Sequence, residues 1–235
     1  MSALDLPPLL AGRRLDPANV GAAGAAHPNR AFARAASRAA KGQLGAGDLV
    51  WVDMDHRAEM ALVTEPEVVR ERCAEMVPLV AVAFGDALGA LAPPEVAVTY
   101  RWPDRLLVNG AEAGRVSLAL AEGSPPAWLV VGIHVAVRPA DLAHDPGRDP
   151  ERTTLWDEGC GEITVRELVA ATARHIVAAL HDWEVDGFGA THRMWTGRHA
   201  GEEGFVGLDD HGNALVREGD ATVSRDLIAT MTETA

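Results

Sequence analysis

Lysine is almost absent from this chain. Of its 21 basic residues, Lys41 alone is a lysine and the rest are arginines. A bias toward arginine and alanine of this kind is typical of codon usage, yet it restricts the chemistry, because any mechanism that needs a lysine side chain must use Lys41. We interpret Lys41 as structural, since it follows a predicted helix, where a cation stabilises the helix dipole.

Cysteine is also scarce. The chain contains only Cys73 and Cys160, too few for a disulfide framework, and two free thiols suit a reducing compartment. No charged segment followed by an apolar one opens the sequence as in a signal peptide, and no apolar run approaches membrane-spanning length. We therefore expect a cytoplasmic protein.

Positive charge is in deficit. The formal net charge is −13 and the isoelectric point is about 5.1. Phosphate-bearing surfaces would be repelled, so we expect neither a nucleic-acid partner nor a membrane partner. The hydrophobic content of 48% and charged content of 23% are those of an ordinary globular protein, and 235 residues suffice for one domain with a small appendage.

Several catalytic signatures are missing from the sequence. It has no Gly-x-x-x-x-Gly-Lys phosphate loop, no Gly-x-Ser-x-Gly elbow, no Cys-x-x-Cys and no His-Glu-x-x-His. Asp53, Asp55 and His56 could together bind a divalent cation through oxygen and imidazole. A solvated acidic turn is the simpler interpretation, so we predict no metal site.

Hydrophobic periodicity and turn residues predict the order of the elements. Residues 6–28 lack a clear period and are interpreted as a loop or extended arm. Helices are predicted over 30–40, 66–91, 164–183 and 191–196, and strands over 48–53, 60–64, 95–102, 105–109, 113–121, 127–137, 204–209, 214–218 and 222–224. This order predicts an α+β fold. We place a main domain at 1–195 and a small β domain at 196–235.

The stretch Tyr100–Val137 carries the most information. Its first motif is Arg101-Trp102-Pro103-Asp104-Arg105. A hairpin leads from there to Glu112-Ala113-Gly114-Arg115, and the last strand contains Gly132-Ile133-His134. It resembles the core of the biotin protein ligases, which share a fold with the lipoate protein ligases. In that family a Lys-Trp-Pro-Asn-Asp strand precedes a lysine with Ala-Gly-Ile, and a later strand reads Gly-Ile-Gly-Ile-Asn.

The resemblance extends beyond this core, over about residues 30–227. The segment 207–216 is similar to a Gly-x-Asp-x-x-Gly-x-Leu hairpin of the family's C-terminal domain. The resemblance therefore implies a mixed sheet packed against helices, with a small, truncated SH3-like β appendage.

The resemblance also implies an activity. Family members activate biotin or lipoate with ATP as an acyl-adenylate and pass the acyl group to a lysine on a carrier domain. An active protein would therefore use ATP and biotin or lipoate, although we expect no bound cofactor. Its implied partners are a small carboxylic acid and a biotinyl or lipoyl carrier domain. Because family members often dimerise through the sheet, a homodimer is a further hypothesis.

The resemblance assigns candidate site residues. The positions that match the family's ligand-binding strands are Arg101, Trp102, Asp104, Gly114, Arg115, Gly132 and His134. Arg101 and Arg115 could compensate for missing cations, although strand alternation could turn Arg115 to the other face. Trp102 could line a pocket or simply pack, and the two glycines could permit close packing between strands.

Two elements of the family's chemistry are missing. Residues 53–58, between two predicted strands, replace a Gly-Arg-rich loop that folds over the adenylate, and they contain no glycine. Glu112 occupies the position of the family's lysine, where a carboxylate would oppose the developing phosphate charge. We therefore expect ATP-dependent ligation to be impaired. The alternatives are a non-catalytic descendant that binds a small acid or its adenylate, a transferase that uses a preformed acyl donor, and a protein-interaction scaffold.

Overall fold

A seven-stranded mixed sheet forms the centre of the molecule. The structure, a computed structural model, describes residues 4–15, 27–141 and 145–233, so part of the predicted N-terminal arm lies outside the described residues. The strands are β1 (Ala11–Leu15), β2 (Asp48–Val52), β3 (Arg57–Thr64), β4 (Val98–Arg101), β5 (Arg105–Val108), β6 (Ala111–Leu120) and β7 (Leu129–Ala136). Their spatial order is β1-β2-β3-β7-β6-β5-β4, and β1 runs parallel to β2 whereas the other neighbours are antiparallel.

Helices cover both faces of this sheet. They are α1 (Arg30–Ala39), α2 (Met76–Leu91), α3 (Val165–Asp186), α4 (Gly189–Gly197) and α5 (Leu227–Glu233). Helix α1 packs on one face through Phe32 and a row of alanines, and it covers β2, β3 and β7. Helices α2 and α3 pack against each other and fill the opposite face with the main hydrophobic core. The β5–β6 half of the α1 face therefore stays uncovered by that helix.

A small antiparallel sheet follows the helices. It consists of β8 (Phe205–Leu208), β9 (Ala214–Glu218) and β10 (Ala221–Arg225) in the order β10-β9-β8. Together with the central sheet and its helices, it confirms the predicted α+β class and the β appendage.

Local signals in the sequence set several element boundaries. The Asn29 side chain accepts a hydrogen bond from the Phe32 backbone N–H at 3.0 Å and so caps α1. Thr164 and Glu167 form the predicted capping box of α3. Asn109 and Gly110 have φ of 49° and 93°, the positive values that a tight hairpin turn requires, and they join β5 to β6 as predicted.

Three predicted elements need correction. The helix predicted over 66–91 begins only at Arg70, where one 3₁₀ segment, Arg70–Glu75, leads into α2. Strand β1 lies in the segment 6–28, which is predicted to be an aperiodic arm. The side chains of residues 11–14 are exposed, so they show no alternation of apolar and polar residues. Helix α5 was missed because it is short, and it starts with a hydrogen bond from the Leu227 N–H to the Asn213 side chain.

One helical stretch is long and apolar, although no apolar run of membrane-spanning length was expected. Arg70–Leu91 could cross a membrane by length and composition alone, but 78% of its most apolar window is buried inside the protein. Its apolar character is explained by contacts with the sheet and with α3.

Candidate functional site

A cavity of about 240 Å³ lies beside the half of the sheet that α1 leaves uncovered. Strands β6 and β7 form its floor, the segment before α1 forms one wall, and α5 contributes to another. Its lining residues are His27, Pro28, Phe32, Pro103, Asp104, Arg105, Arg115, Val116, Ser117, Leu118, His134, Thr230 and Met231.

A row of polar side chains crosses the sheet at one end of this cavity. Arg105 pairs with Arg115, Arg115 with His134, and His134 with Glu59 on four adjacent strands. Directly paired residues on neighbouring strands point to the same face. Strand alternation therefore turns Arg115 toward the cavity and places it beside His134.

Arg115 is held by two carboxylates. Its Nε donates to Glu112 Oε1 at 2.7 Å, and its terminal nitrogen lies 3.9 Å from Asp104 Oδ2. Arg105 reaches the same Glu112 carboxylate at 3.0 Å. Glu112 thus forms ion pairs with both arginines, and together with Asp104 it offsets the positive charge that they would otherwise present to an anionic ligand.

The two carboxylates have opposite pKa shifts. Burial raises the pKa of Asp104 above its usual value, although Arg115 and Arg105 partly offset the effect. Burial acts in the same direction on Glu112, but the hydrogen bonds and charge of Arg115, together with Arg105, outweigh it and hold the Glu112 pKa below its usual value. The Glu112 carboxylate is therefore firmly ionised, and Asp104 keeps its proton to a higher pH than an exposed carboxyl would.

His134 is a neutral polar group in this cavity. Burial lowers its pKa to about 4, and the charge of Arg57 acts in the same direction. Its Nδ1 is buried and has no hydrogen-bond partner among the described residues. Ser117, two residues along β6 from Arg115, adds a hydroxyl to the same lining.

Glu59, at the far end of the row, serves the fold rather than the cavity. Its side chain is fully buried, and it accepts hydrogen bonds from the Arg30 backbone N–H at 2.8 Å and from the Arg30 guanidinium at 3.0 Å. A carboxylate at the first residue of α1 stabilises the helix dipole. It thereby fixes the helix that carries Phe32 to the cavity.

The connection between β2 and β3 is a short turn. The backbone carbonyl of His56 accepts from the N–H groups of Val137 and Arg138 at 2.9 and 3.0 Å, which pins this turn to the end of β7. Asp53 is ion-paired with Arg166 at 2.6 Å and with Arg14 at 3.1 Å. In the part of the chain that the structure describes, no three His, Cys, Asp or Glu side chains come together as a metal-binding group.

The candidate residues divide into two groups. Asp104, Arg115 and His134 line the cavity, and Glu112 is next to it through its ion pair with Arg115. Gly114 and Gly132 allow close packing: a Cβ on Gly114 would collide with the His134 carbonyl oxygen, and one on Gly132 would lie 2.9 Å from Phe32.

Arg101 and Trp102 do not line this cavity. The Trp102 indole N–H donates to the Gly212 carbonyl at 3.2 Å, so this side chain joins the main sheet to the small sheet. Arg101 lies close enough to His199 to contribute to the lowering of its pKa, after burial and against the opposing charge of Glu202. Both residues therefore act at the contact with the C-terminal part of the chain.

Ten of the thirteen lining residues were not among the predicted site residues, and four of them illustrate why. His27 and Phe32 precede and begin α1, Ser117 follows the quoted motif by two residues, and Met231 lies in α5. Of these four residues, only Ser117 could have been predicted from the sequence, because its side chain lies on the same strand face as that of Arg115. The others depend on long-range packing.

The fold and this cavity together define an α+β protein with a small cavity on its mixed sheet, and sequence comparison gives its family. Residues 6–197 match the model of the biotin/lipoate A/B protein ligase family. The chain therefore belongs to this family.

Individual relatives agree with this assignment. A biotin–[acetyl-CoA-carboxylase] ligase of Paracoccus denitrificans is 25% identical over 173 residues, which cover 66% of this chain and 72% of that protein. The crystal structure of a biotin protein ligase-like protein of unknown function from Silicibacter sp. TM1040 is 29% identical, with a TM-score of 0.82 over 97% of this chain and 98% of that one. Biotin protein ligase from Aquifex aeolicus shares the fold, with a TM-score of 0.68 at 15% identity over 81% of this chain and 89% of that one.

Proposed function

We propose that the protein binds a small carboxylic acid of the biotin or lipoate type, or its activated conjugate, and that ATP-dependent activation of that acid is impaired. The observation that carries this proposal is the pairing of Arg115 and Arg105 with Glu112. Adenylation develops negative charge on phosphate, which needs unpaired cations and converging N–H groups. At this cavity both arginines are already engaged in ion pairs with the same carboxylate.

The retained features support binding. The cavity combines apolar walls from Phe32 and Met231 with the neutral polar groups of His134 and Ser117. Small-molecule sites have this composition: mostly apolar surface with a few placed polar groups. A volume of about 240 Å³ is below the usual range for a drug-sized ligand, so it suits the ring and chain of a small acid, and the nucleotide of an activated conjugate would extend outside the cavity.

The loss of the activation elements favours transfer from a preformed donor as a second candidate. Acyl transfer to a carrier lysine does not require the ATP-stage cations. The named activity of the Paracoccus denitrificans relative, ligation of biotin to a carboxylase, indicates a carrier domain as the acceptor. Because Cys73 and Cys160 are free thiols, a reducing compartment suits the protein, and we propose a cytoplasmic location.

Calorimetric titration tests the proposal. We expect biotin, lipoic acid or their non-hydrolysable adenylate analogues to bind, and pyrophosphate exchange with ATP to be undetectable. Rapid pyrophosphate exchange that depends on added biotin or lipoic acid would show that activation of the acid is intact. It would contradict the proposed impairment of activation. If neither the acids nor the analogues bind, the family's ligand site has been lost, and the scaffold alternative is favoured. Carrier acylation from a supplied acyl-adenylate without ATP would support the transferase.

A further inference from the structure

A second and larger cavity lies at the other end of the sheet. Its volume is about 610 Å³, within the usual range for small-molecule sites. Its lining includes Thr64, the last residue of β3, which pairs with Leu129, whereas Glu59 of the same strand pairs with His134. Five residues of strand separate the two positions by roughly 17 Å. Because this spacing is an odd number of residues, Thr64 and Glu59 lie on opposite faces of the sheet. This cavity is therefore separate from the cavity that Arg115 and His134 line.

The inner surface of this cavity is apolar. Met76 of α2, Leu129 of β7 and Leu180 of α3 contribute aliphatic side chains, and Trp183 contributes an aromatic wall. Cys73 also lines it, and burial raises the pKa of this thiol to about 11, so it contributes as a protonated, weakly polar group. A ligand here would bury a hydrophobic body.

The indole of Trp183 is fixed in place. Its N–H donates to the carboxylate of Glu75, which is 1% exposed. The guanidinium of Arg72 lies 4.7 Å from the ring centroid and 3.2 Å from the same carboxylate. Among the described residues that line the cavity, Arg72 is the only cation, and Glu75 neutralises it. The aromatic wall is therefore preorganised.

The rim carries unpaired negative charge. Glu65, Glu67 and Glu184 line the opening and are exposed. Across residues 4–15, 27–141 and 145–233, none of these three carboxylates has an ion-pair or hydrogen-bond partner. With Arg72 neutralised, they give the opening a negative potential, in a protein whose net charge is already −13.

We propose that this cavity binds a small hydrophobic amine. The apolar body of such a ligand fits against Met76, Leu129 and Leu180, and its ammonium group lies among the rim carboxylates beside Trp183. Aromatic rings with nearby carboxylates favour alkylammonium ions through cation–π attraction and charge pairing. Acids of the same shape are repelled by the rim carboxylates.

A matched ligand series tests the proposal. We would titrate the full chain by calorimetry with 4-phenylbutylamine, 4-phenylbutanol and 5-phenylvalerate, which share the phenylbutyl group. The amine should bind about tenfold more tightly than the alcohol, 5-phenylvalerate should bind weakest, and added salt should reduce the preference. Failure of the amine to bind at millimolar concentration, or equal binding of amine and alcohol, would overturn the proposal.

Two variants locate the site. The triple substitution Glu65→Gln, Glu67→Gln, Glu184→Gln should remove the preference for the amine over the alcohol. The control triple substitution of exposed glutamates elsewhere, Glu95→Gln, Glu162→Gln and Glu203→Gln, changes the net charge equally and should keep that preference. Leu180→Trp should fill the cavity and weaken both ligands, with a thermal melt to establish that it folds. If the two triple variants behave alike, the amine site is not at this rim.

Discussion

At the scale of single residues, the ion pairs of Glu112 determine how strongly the cavity lined by Arg115 and His134 attracts an anionic ligand. Glu112 is bound by Arg115 at 2.7 Å and by Arg105 at 3.0 Å, and these pairs keep both guanidiniums from an incoming anion. The sequence predicted the reversed charge at this position. It did not predict that the same carboxylate would hold both arginines, because that depends on the pairing of β5 with β6.

Glu112→Gln should increase affinity for an anionic ligand. Removing the carboxylate releases the positive charge of Arg115 and Arg105, so binding of a biotinyl- or lipoyl-adenylate analogue should tighten by roughly tenfold, or about 1.4 kcal/mol. Calorimetry measures the change. Glu162→Gln is the control, because it makes the same change in net charge at an exposed position. Unchanged or weaker binding by Glu112→Gln would refute the masking role.

His134 should make the stability of the protein sensitive to mild acid. Its pKa falls from about 6.5 in the unfolded chain to about 4 in the fold, so between these values the unfolded state binds the proton and the folded state does not. Stability is therefore fully present above pH 6.5 and is lost as the pH falls toward 4, by about 2 kcal/mol at pH 5.

Urea unfolding at pH 7 and pH 5 measures this loss. Between pH 7 and pH 5, the urea concentration at the unfolding midpoint should fall less for His134→Gln than for the unsubstituted protein. The remaining fall comes from other titrating groups, such as Asp104, that both proteins share. Equal drops in the two proteins would show that His134 does not titrate in this way.

At the scale of elements, the close approach of β6 to β7 depends on Gly114. A Cβ there would collide with the His134 backbone carbonyl, which cannot move without breaking the ladder. Gly114→Ala should therefore lower the free energy of unfolding by about 1–3 kcal/mol. Denaturant titration measures it.

Gly89→Ala serves as a control of opposite sign. Gly89 lies in α2 with open space around its Cβ position, so alanine there should stabilise the protein by about 1 kcal/mol. If Gly114→Ala is as stable as the unsubstituted protein, the two strands can separate without cost and the packing argument is wrong.

The elements with local signals were the ones that the sequence predicted well. Helix α1 has its Asn29 cap, α3 has its capping box, and the hairpin has Asn109-Gly110. Strand β1 lacks such a signal and exists through its pairing with β2, whereas α5 is capped by Asp226 but is too short to show a helical period. The same division applies to the site: Asp104, Arg115 and His134 belong to a recognisable motif, whereas Met231 reaches the cavity from the far end of the chain.

At the scale of the whole molecule, Glu75 joins three parts of the chain. Its buried carboxylate binds Trp183 of α3, Arg72 of the 3₁₀ segment and, at 2.9 Å, His211 of the small sheet. Glu75→Ala would leave the indole N–H and the guanidinium without this partner.

We expect Glu75→Ala to lower the free energy of unfolding by roughly 2–3 kcal/mol, somewhat less than for a fully buried pair, because Arg72 and His211 are partly exposed. Thermal and urea unfolding both report it. Glu71→Ala, one turn earlier and exposed, should change stability by less than about 0.5 kcal/mol. A loss confined to the small sheet, seen as a separate early transition, would contradict a single cooperative unit.

The two edge strands of the large sheet determine whether copies of this chain can associate edge to edge. The outermost strands, β1 and β4, have five and four residues. The backbone of Tyr100 in β4 already bonds to Arg198 and Ala200, and β1 carries Arg13 and Arg14. Short, charged or occupied edges discourage strand addition and fibril growth. Concentrated solutions should therefore resist edge-to-edge assembly, and a homodimer, if it forms, should use a helical or loop surface.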